Sequence, residues 1–254
     1  LGLAWRYDAI ECDEAALPSL LNSLDDAFIG LSLTMPLKRA ALPLLDDVTS
    51  LAAAVGAVNT VSFDGIGAAR RRRGDNTDVT GLVESIRTAK SGALGTATIL
   101  GAGGTAAAAV AALRELGVRE VEVVVRDESR AVDLCAAADR LGMRVALVRW
   151  PGVGSVRAAE LVISTVPAGA ADRLVQSGDW TPAPGQVLFD VLYHPWPTPL
   201  ALAAQAAGAT VVDGLELLVR QAAGQVERWS GQAAPVEIMR VAGEKALRER
   251  ESTR

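Results

Sequence analysis

Strands alternating with helices from residue 96 onward, a glycine-rich turn at the first of those strand–helix junctions, and a less regular opening third together predict an α/β protein of two domains. Alternating β and α units argue for a parallel, doubly wound sheet, because parallel neighbours need a crossover and a helix supplies it. The composition permits this. The 254 residues allow one large domain or two small ones, and half of them are hydrophobic, which is too apolar for a disordered chain. Aromatic residues make up 4%, so the core must rest on Ala, Val and Leu.

Taken in order, the opening third predicts a strand near Trp5–Glu11, a helix near Glu14–Leu24, a strand near Ala27–Thr34 and a helix opened by Pro36, whose missing N–H is harmless in a first turn. Ala57–Phe63 reads as a strand, Asp64-Gly65 as a hairpin turn, and a further strand leads to Asp75. An amphipathic helix follows. Residues 96–100 then form a β-prone run into Gly101-Ala102-Gly103-Gly104-Thr105-Ala106, an Ala-rich helix ends at Gly117, and Val121–Val125 is β-prone again, which makes a βαβ unit. A helix at Ser129–Leu141 and strands at Arg144–Val148, Leu161–Thr165 and Gln186–Val191 continue the alternation. The last helices are Leu215–Trp229 and Val236–Arg250, so the chain leaves the first domain near Gly81–Lys90 and returns to it near Leu215. No internal repeat is evident.

The balance of 25 basic against 30 acidic residues disfavours a general nucleic-acid binder, and the short Arg70–Arg73 run reads as a solvated hairpin strand. Cys12 and Cys135 show neither metal-ligand nor redox spacing, which leaves reduced thiols in the cytoplasm as the default. The single histidine, His194, excludes a His-rich metal site, so no metal is expected and acid–base work falls to Lys, Asp, Glu or Tyr. No apolar run reaches a membrane-spanning length, and no signal-peptide pattern opens the chain. Leu1 in place of Met points to a processed, truncated or fragmentary start.

The loop Gly101–Ala106 fits the dinucleotide fingerprint, with Ala106 in place of the third glycine, and its position between a strand and a helix favours nucleotide binding over a structural turn. At the tip of the second strand stands Arg126, whose guanidinium suits a ribose 2′-phosphate and favours NADP over NAD. Asp127 and Glu128 leave the alternative open, since either could accept a 2′-hydroxyl or repel the phosphate. Lys38 falls in the first turn of the helix opened by Pro36, where the positive end of the dipole disfavours a cation and suits a lysine that exchanges a proton; the plain alternative is an exposed lysine. Asn76-Thr77-Asp78 is either a helix cap or a carboxylate held to pair with a lysine.

Together these pieces resemble the shikimate dehydrogenase family over nearly the whole chain. Ser32-Leu33-Thr34-Met35-Pro36-Leu37-Lys38 resembles the family's Asn-Val-Thr-x-Pro-x-Lys turn, Val58-Asn59-Thr60 its Asn-Thr pair, and Asn76-Thr77-Asp78 its Asn-Thr-Asp motif. Ser164-Thr165-Val166-Pro167, the segment from Asp190 through Tyr193 and Pro195 to Thr198, and the segment from Gly214 through Leu218 to Gln221 are similar to three further motifs. The resemblance implies reversible, NADP-dependent reduction of 3-dehydroshikimate to shikimate in aromatic amino-acid biosynthesis. By the same resemblance Lys38 exchanges the proton, Asp78 pairs with it, and Thr34, Asn59, Tyr193 and Gln221 bind substrate. Gly101, Gly103, Gly104, Thr105, Ala106, Arg126, Arg130, Thr165 and Gly214 hold NADP, while His194 has no role. It further implies a discontinuous substrate domain of residues 1–87 and 215–254, with a Rossmann-type NADP-binding domain of residues 88–214 inserted. The expected partners are small molecules, with neither nucleic acid nor membrane, and the expected state is a cytoplasmic monomer or homodimer.

The pattern departs from the family at Ser32 (for Asn), Asp127 (for Thr) and Leu217 (for Met). Family members also open with a strand and a Ser-x-Ser turn that grips the substrate carboxylate, and no such turn stands upstream of Trp5, so an absent first strand and helix are expected. A relative that prefers quinate or NAD, or a non-catalytic nucleotide-binding relative, is the alternative.

Overall fold

The structure is a computed structural model that describes residues 1–150, 159–178 and 180–252. The described residues form two sheets. The first holds β1 (Gly30–Ser32), β2 (Asp47–Val48), β3 (Thr60–Asp64) and β4 (Arg71–Asp75), in the order β1-β3-β4-β2. β3 and β4 form the expected hairpin with Asp64 opposite Arg71, but its connection is wider than Asp64-Gly65, because Gly67–Ala69 adds a 3-10 turn. Around this sheet lie α1 (Leu17–Ser23), α2 (Leu37–Ala40) and α3 (Ser50–Val55). Thr49 caps α3 by accepting from the Ala52 N–H, and Gly56 ends it at φ 73°.

Two expectations for this region are corrected. Residues 1–13 carry no regular structure, and Trp5 and Tyr7 are exposed, because a β-prone segment becomes a strand only where a neighbour takes its backbone bonds; β1 pairs with β3 alone among the described residues. Pro36 precedes α2 as its cap, and α2 is a single turn of four residues. So short a helix has no appreciable macrodipole, and the dipole does not explain Lys38.

The second sheet comprises β5 (Ala97–Leu100), β6 (Glu120–Val125), β7 (Arg144–Arg149), β8 (Leu161–Ser164), β9 (Val187–Asp190) and β10 (Thr210–Val212). Its order is β10-β9-β8-β5-β6-β7 with every pair parallel, which is the doubly wound Rossmann arrangement. The strand order reverses between β5 and β8, opening a crevice at their carboxyl ends where such sheets bind ligands. The linking helices include α5 (Gly104–Glu115), α6 (Val132–Leu141), α7 (Asp172–Gln176) and α8 (Pro199–Ala206).

The long helices α4 (Thr77–Ala89) and α9 (Gly214–Ser230) lie between the two sheets, and α10 (Val236–Ser252) packs on α9. α4 and α9 approach closely because each offers glycine at the contact; a Cβ on Gly81 would lie 3.1 Å from the Gln221 nitrogen, and one on Gly224 would lie 3.2 Å from Thr77. At its far end α9 lays Trp229 over Gly30 of β1. One apolar cluster runs from Val55 and Ala57 through Val79 and Leu82 of α4 to the buried alanines of α5 and Leu217 of α9. Across the same junction Arg140 donates to the Ala54 carbonyl at 3.0 Å, and Arg39 pairs with Asp133.

Candidate active site

Lys38 and Asp78 are brought together by two chain reversals. β1 runs into the Thr34-Met35-Pro36 turn and α2, while β4 ends at Asp75 and hands the chain to α4. Asn76 caps α4, its side-chain oxygen accepting the Asp78 N–H at 3.1 Å, so Asp78 sits in the first turn of a long helix, where a carboxylate is favoured. Lys38 Nζ donates to Asp78 Oδ2 at 2.6 Å, with 20% of the lysine side chain and 6% of the aspartate side chain exposed. The ion pair is held, yet its cation is reachable.

The other Asp78 oxygen, Oδ1, accepts from Asn59 Nδ2 at 2.8 Å. Asn59 is buried just before β3, and its Nδ2 also lies 3.0 Å from Thr77 Oγ1 and 3.2 Å from Gln221 Oε1. Its oxygen accepts from the Thr77 N–H at 2.8 Å and from the Thr60 hydroxyl at 2.7 Å. A main-chain N–H can only donate, so the amide has one orientation. Four predicted residues, Lys38, Asp78, Asn59 and Gln221, therefore share one cluster. A lysine so placed is able to give a proton to a carbonyl oxygen or receive one from a hydroxyl, beside amides suited to further hydroxyls.

Two expected substrate ligands stand outside that cluster. Thr34 is exposed on the turn before Lys38, and among the described residues its side chain makes no hydrogen bond. Tyr193 is 37% exposed in the loop after β9.

The glycine loop follows β5 as expected. Gly101 takes φ 98°, donates to the Val124 carbonyl at 2.9 Å and leaves no room for a Cβ, which would fall 2.8 Å from Thr165 Oγ1. Thr165 in turn donates to the Leu100 carbonyl at 2.8 Å. A Cβ on Gly103 or Gly104 would meet no atom within 4 Å, so the loop backbone borders open space where α5 begins, and Gly103 has no side chain to cap that helix. Thr105 is half-buried in the first turn, and Ala106 is fully buried, letting α5 pack close to the sheet.

At the tip of β6, Arg126 and Arg130 are exposed, and the Arg126 guanidinium makes no hydrogen bond or ion pair among the described residues. The neighbouring carboxylates are engaged elsewhere. Asp127 accepts from the Ser129 hydroxyl at 2.8 Å and its N–H at 3.0 Å, bonds that hold its carboxyl below the usual range. Glu128 pairs with Arg149 at 3.1 Å. These groups fit a dinucleotide that carries an extra phosphate: a turn of open backbone N–H groups, then an unpaired guanidinium at the second strand tip.

Gly214 opens α9, donates to the Leu192 carbonyl at 3.0 Å, and excludes a side chain because a Cβ there would overlap the Val191 carbonyl. The position thus needs glycine for protein packing alone. Sequence reading missed Thr60, Thr77 and Gln225 as members of the site cluster, and Asp190 as the buried carboxylate that receives the Thr198 hydroxyl at 2.7 Å and the Leu192 N–H at 3.3 Å. Among the described residues no His, Cys, Asp or Glu cluster suits a metal ion, and no helix is long and apolar enough to cross a membrane.

Comparison with known proteins gives matches along the same chain. Residues 1–61 match a family described as the shikimate dehydrogenase substrate binding domain, and residues 214–242 match the shikimate 5′-dehydrogenase C-terminal domain. The chain is 41% identical over 214 residues to a shikimate dehydrogenase (NADP(+)) from Oleidesulfovibrio alaskensis, covering 81% of this chain and 72% of that one. Among solved structures it is similar to Mycobacterium tuberculosis shikimate dehydrogenase, with TM-score 0.79 and 39% identity, covering 93% of this chain and 86% of the other. It is also similar to Thermus thermophilus shikimate 5-dehydrogenase in complex with NADP(H) and shikimate, with TM-score 0.74 and 33% identity, covering 91% and 84%.

Proposed function

The chain belongs to the shikimate dehydrogenase family, and on that premise we propose that Lys38 and Asp78 perform the proton transfer in NADP-dependent reduction of 3-dehydroshikimate to shikimate and its reverse. The observation that supports these roles is the 2.6 Å contact between Lys38 Nζ and Asp78 Oδ2, with Asn59 and Gln221 gathered beside it. In reduction Lys38 gives a proton to the substrate carbonyl oxygen as it becomes a hydroxyl; in oxidation it takes that proton back. Asp78 holds the ammonium in place through Oδ2, so the acid is presented in one orientation. Asn59, Gln221 and Thr34 bind the ring hydroxyls, and Tyr193 closes on the substrate from the loop after β9.

The bound cofactor would supply a hydride as NADPH in reduction and accept one as NADP+ in oxidation. Gly101, Gly103, Gly104, Thr105 and Ala106 form the loop that would hold its diphosphate, and Arg126 with Arg130 would hold the 2′-phosphate. Thr165, against Gly101, would line the cofactor site, and Gly214 would approach the nicotinamide amide. We assign residues 1–87 and 215–254 to the substrate domain and residues 88–214 to the NADP-binding domain; residues 151–158, 179, 253 and 254 lie outside the described residues. The substrate places the enzyme in aromatic amino-acid biosynthesis. Its two free thiols fit a reducing compartment, so we place it in the cytoplasm as a monomer or homodimer acting on small molecules.

The test is an absorbance assay of the purified protein with shikimate or quinate and NADP or NAD in turn. Reduction of NADP by shikimate in excess of the other three combinations is expected. No reduction in any of them overturns the reading.

A further inference from the structure

We propose that Gln225 is a positioning residue: through Thr60 and Asn59 it orients the Asp78 carboxylate that holds Lys38, and this role rests on the function proposed above. Gln225 lies one turn beyond Gln221 on α9 and is 3% exposed, an uncharged polar side chain sealed between the first sheet and α4. Every polar atom of its amide is used. Ser32 Oγ donates to Gln225 Oε1 at 2.7 Å, while Gln225 Nε2 donates to Thr60 Oγ1 at 3.1 Å and to the Asn59 carbonyl at 3.3 Å. That carbonyl can only accept, so the Gln225 amide has one orientation, with its NH2 toward Asn59 and Thr60.

The direction of each later bond then follows. Thr60, receiving a proton from Gln225, turns its own hydrogen to Asn59 Oδ1 at 2.7 Å; Asn59 turns Nδ2 to Asp78 Oδ1 at 2.8 Å; and Asp78 Oδ2 receives Lys38 Nζ at 2.6 Å. From Ser32 to Asp78 every hydrogen points toward the carboxylate. Bonds aligned this way polarise one another, and the last of them spreads the negative charge of Asp78, which loses its counter-ion when Lys38 gives up its proton. Without Gln225 the Thr60 hydroxyl is free to turn to Thr77 Oγ1, which lies 3.2 Å away, and Asn59 loses one of the donors that fix it.

The relay also gives Ser32 a part. Its hydroxyl reaches the Gln225 amide across the sheet, so these two positions act as one unit.

The experiment compares Gln225→Met, Ser32→Ala and the double variant with the parent enzyme by steady-state kinetics, by thermal melting, and by the rate at which an amine-acylating reagent labels Lys38, read by mass spectrometry. Gln225→Met is expected to lower kcat about tenfold with KM for shikimate and for NADP within about twofold, the size of one well-placed hydrogen bond. Ser32→Ala is expected to lower it less. The double variant removes the stranded serine donor and regains thermal stability, since replacing both partners by apolar groups is nearly neutral, yet its kcat stays as low as in Gln225→Met. Acylation needs the unprotonated amine, so Lys38 labelling is expected to slow in both variants at position 225.

Recovery of kcat together with melting temperature in the double variant, or unchanged kcat in Gln225→Met, overturns the proposal and leaves Gln225 a packing residue. Absence of shikimate oxidation in the parent enzyme overturns the proposed function instead. The labelling rates need no substrate and decide the relay separately: equal rates in parent and variants reject it.

Discussion

Lys38 is held against Asp78 with a fifth of its side chain still exposed, so removing it takes away a reachable proton donor and leaves a carboxylate with Asn59 and the start of α4 as its support. Among the described residues no hydrogen bond joins the pair to the glycine loop. Lys38→Ala is therefore expected to lower kcat by about 100- to 10,000-fold, the range for loss of a general acid–base group, with the NADP dissociation constant changed by less than about twofold. Steady-state rates and a fluorescence titration measure the two quantities, and retained turnover would remove Lys38 from the mechanism. Arg126 calls for the opposite pattern. Its guanidinium has no partner among the described residues, while Asp127 and Glu128 are occupied by Ser129 and Arg149. Arg126→Ala should weaken NADP binding by about 10- to 100-fold, as for a charged hydrogen bond, and leave NAD binding nearly unchanged. Equal weakening of both cofactors in calorimetric titrations would point away from a 2′-phosphate contact.

At the scale of elements, the loop after β9 hangs on one buried carboxylate. Burial pushes the Asp190 carboxyl above its ordinary range, against the opposing bonds from the Thr198 hydroxyl and the Leu192 N–H. The Leu192 carbonyl then receives the Gly214 N–H, so Asp190 also sets where α9 begins. A carboxyl with a raised folded pKa binds its proton more tightly in the folded state, so its contribution is fully present below the ordinary carboxylate pKa of about 4 and is lost as pH rises through the raised value. Asp190→Asn does not titrate. Urea unfolding of both proteins at about pH 4 and pH 8 should show the parent losing stability relative to the variant as pH rises; a difference that stays constant or moves the other way refutes the burial effect. Such loops were the least legible part of the sequence. β10 is three residues long and α7 five, too short for periodicity to register, and α3 is marked only by its Thr49 cap and Gly56 stop. The strand expected at Trp5–Glu11 failed for a different reason, since strand formation depends on a neighbour that local sequence does not specify. The regular βα units were legible because their buried strands are continuous apolar runs bounded by glycine. Within the site, Lys38, Asp78, Asn59 and Gln221 were legible through motif resemblance, but Gln225 was not, because a glutamine on an amphipathic helix reads as surface until the partner sheet is in place.

At the scale of the molecule, each sheet keeps an apolar cluster of its own, and one further cluster spans the two units. Val55 and Ala57 from the first unit, Val79 and Leu82 from α4, and the α5 alanines from the second form a single cluster. Arg140 bonded to the Ala54 carbonyl and Arg39 paired with Asp133 add polar ties across the same junction. Units joined through a shared core lose contacts together, so the protein should unfold in one transition even though its chain crosses between units twice. Trp180, buried beside the second sheet, and Trp229, packed over Gly30 of the first, report the two units separately. In variants that keep only Trp180 or only Trp229 of the chain's five tryptophans, urea titrations followed by fluorescence should give coincident midpoints. Leu82, fully buried in α4, touches this shared interior, and Leu82→Ala should cost about 2–5 kcal/mol by removing transfer energy and leaving a cavity. The loss should move both tryptophan midpoints by the same amount. A shift confined to one probe, or two separated transitions in the parent, would mean that the units fold independently and that the cluster joining them contributes little to holding Asp78 and the glycine loop in one frame.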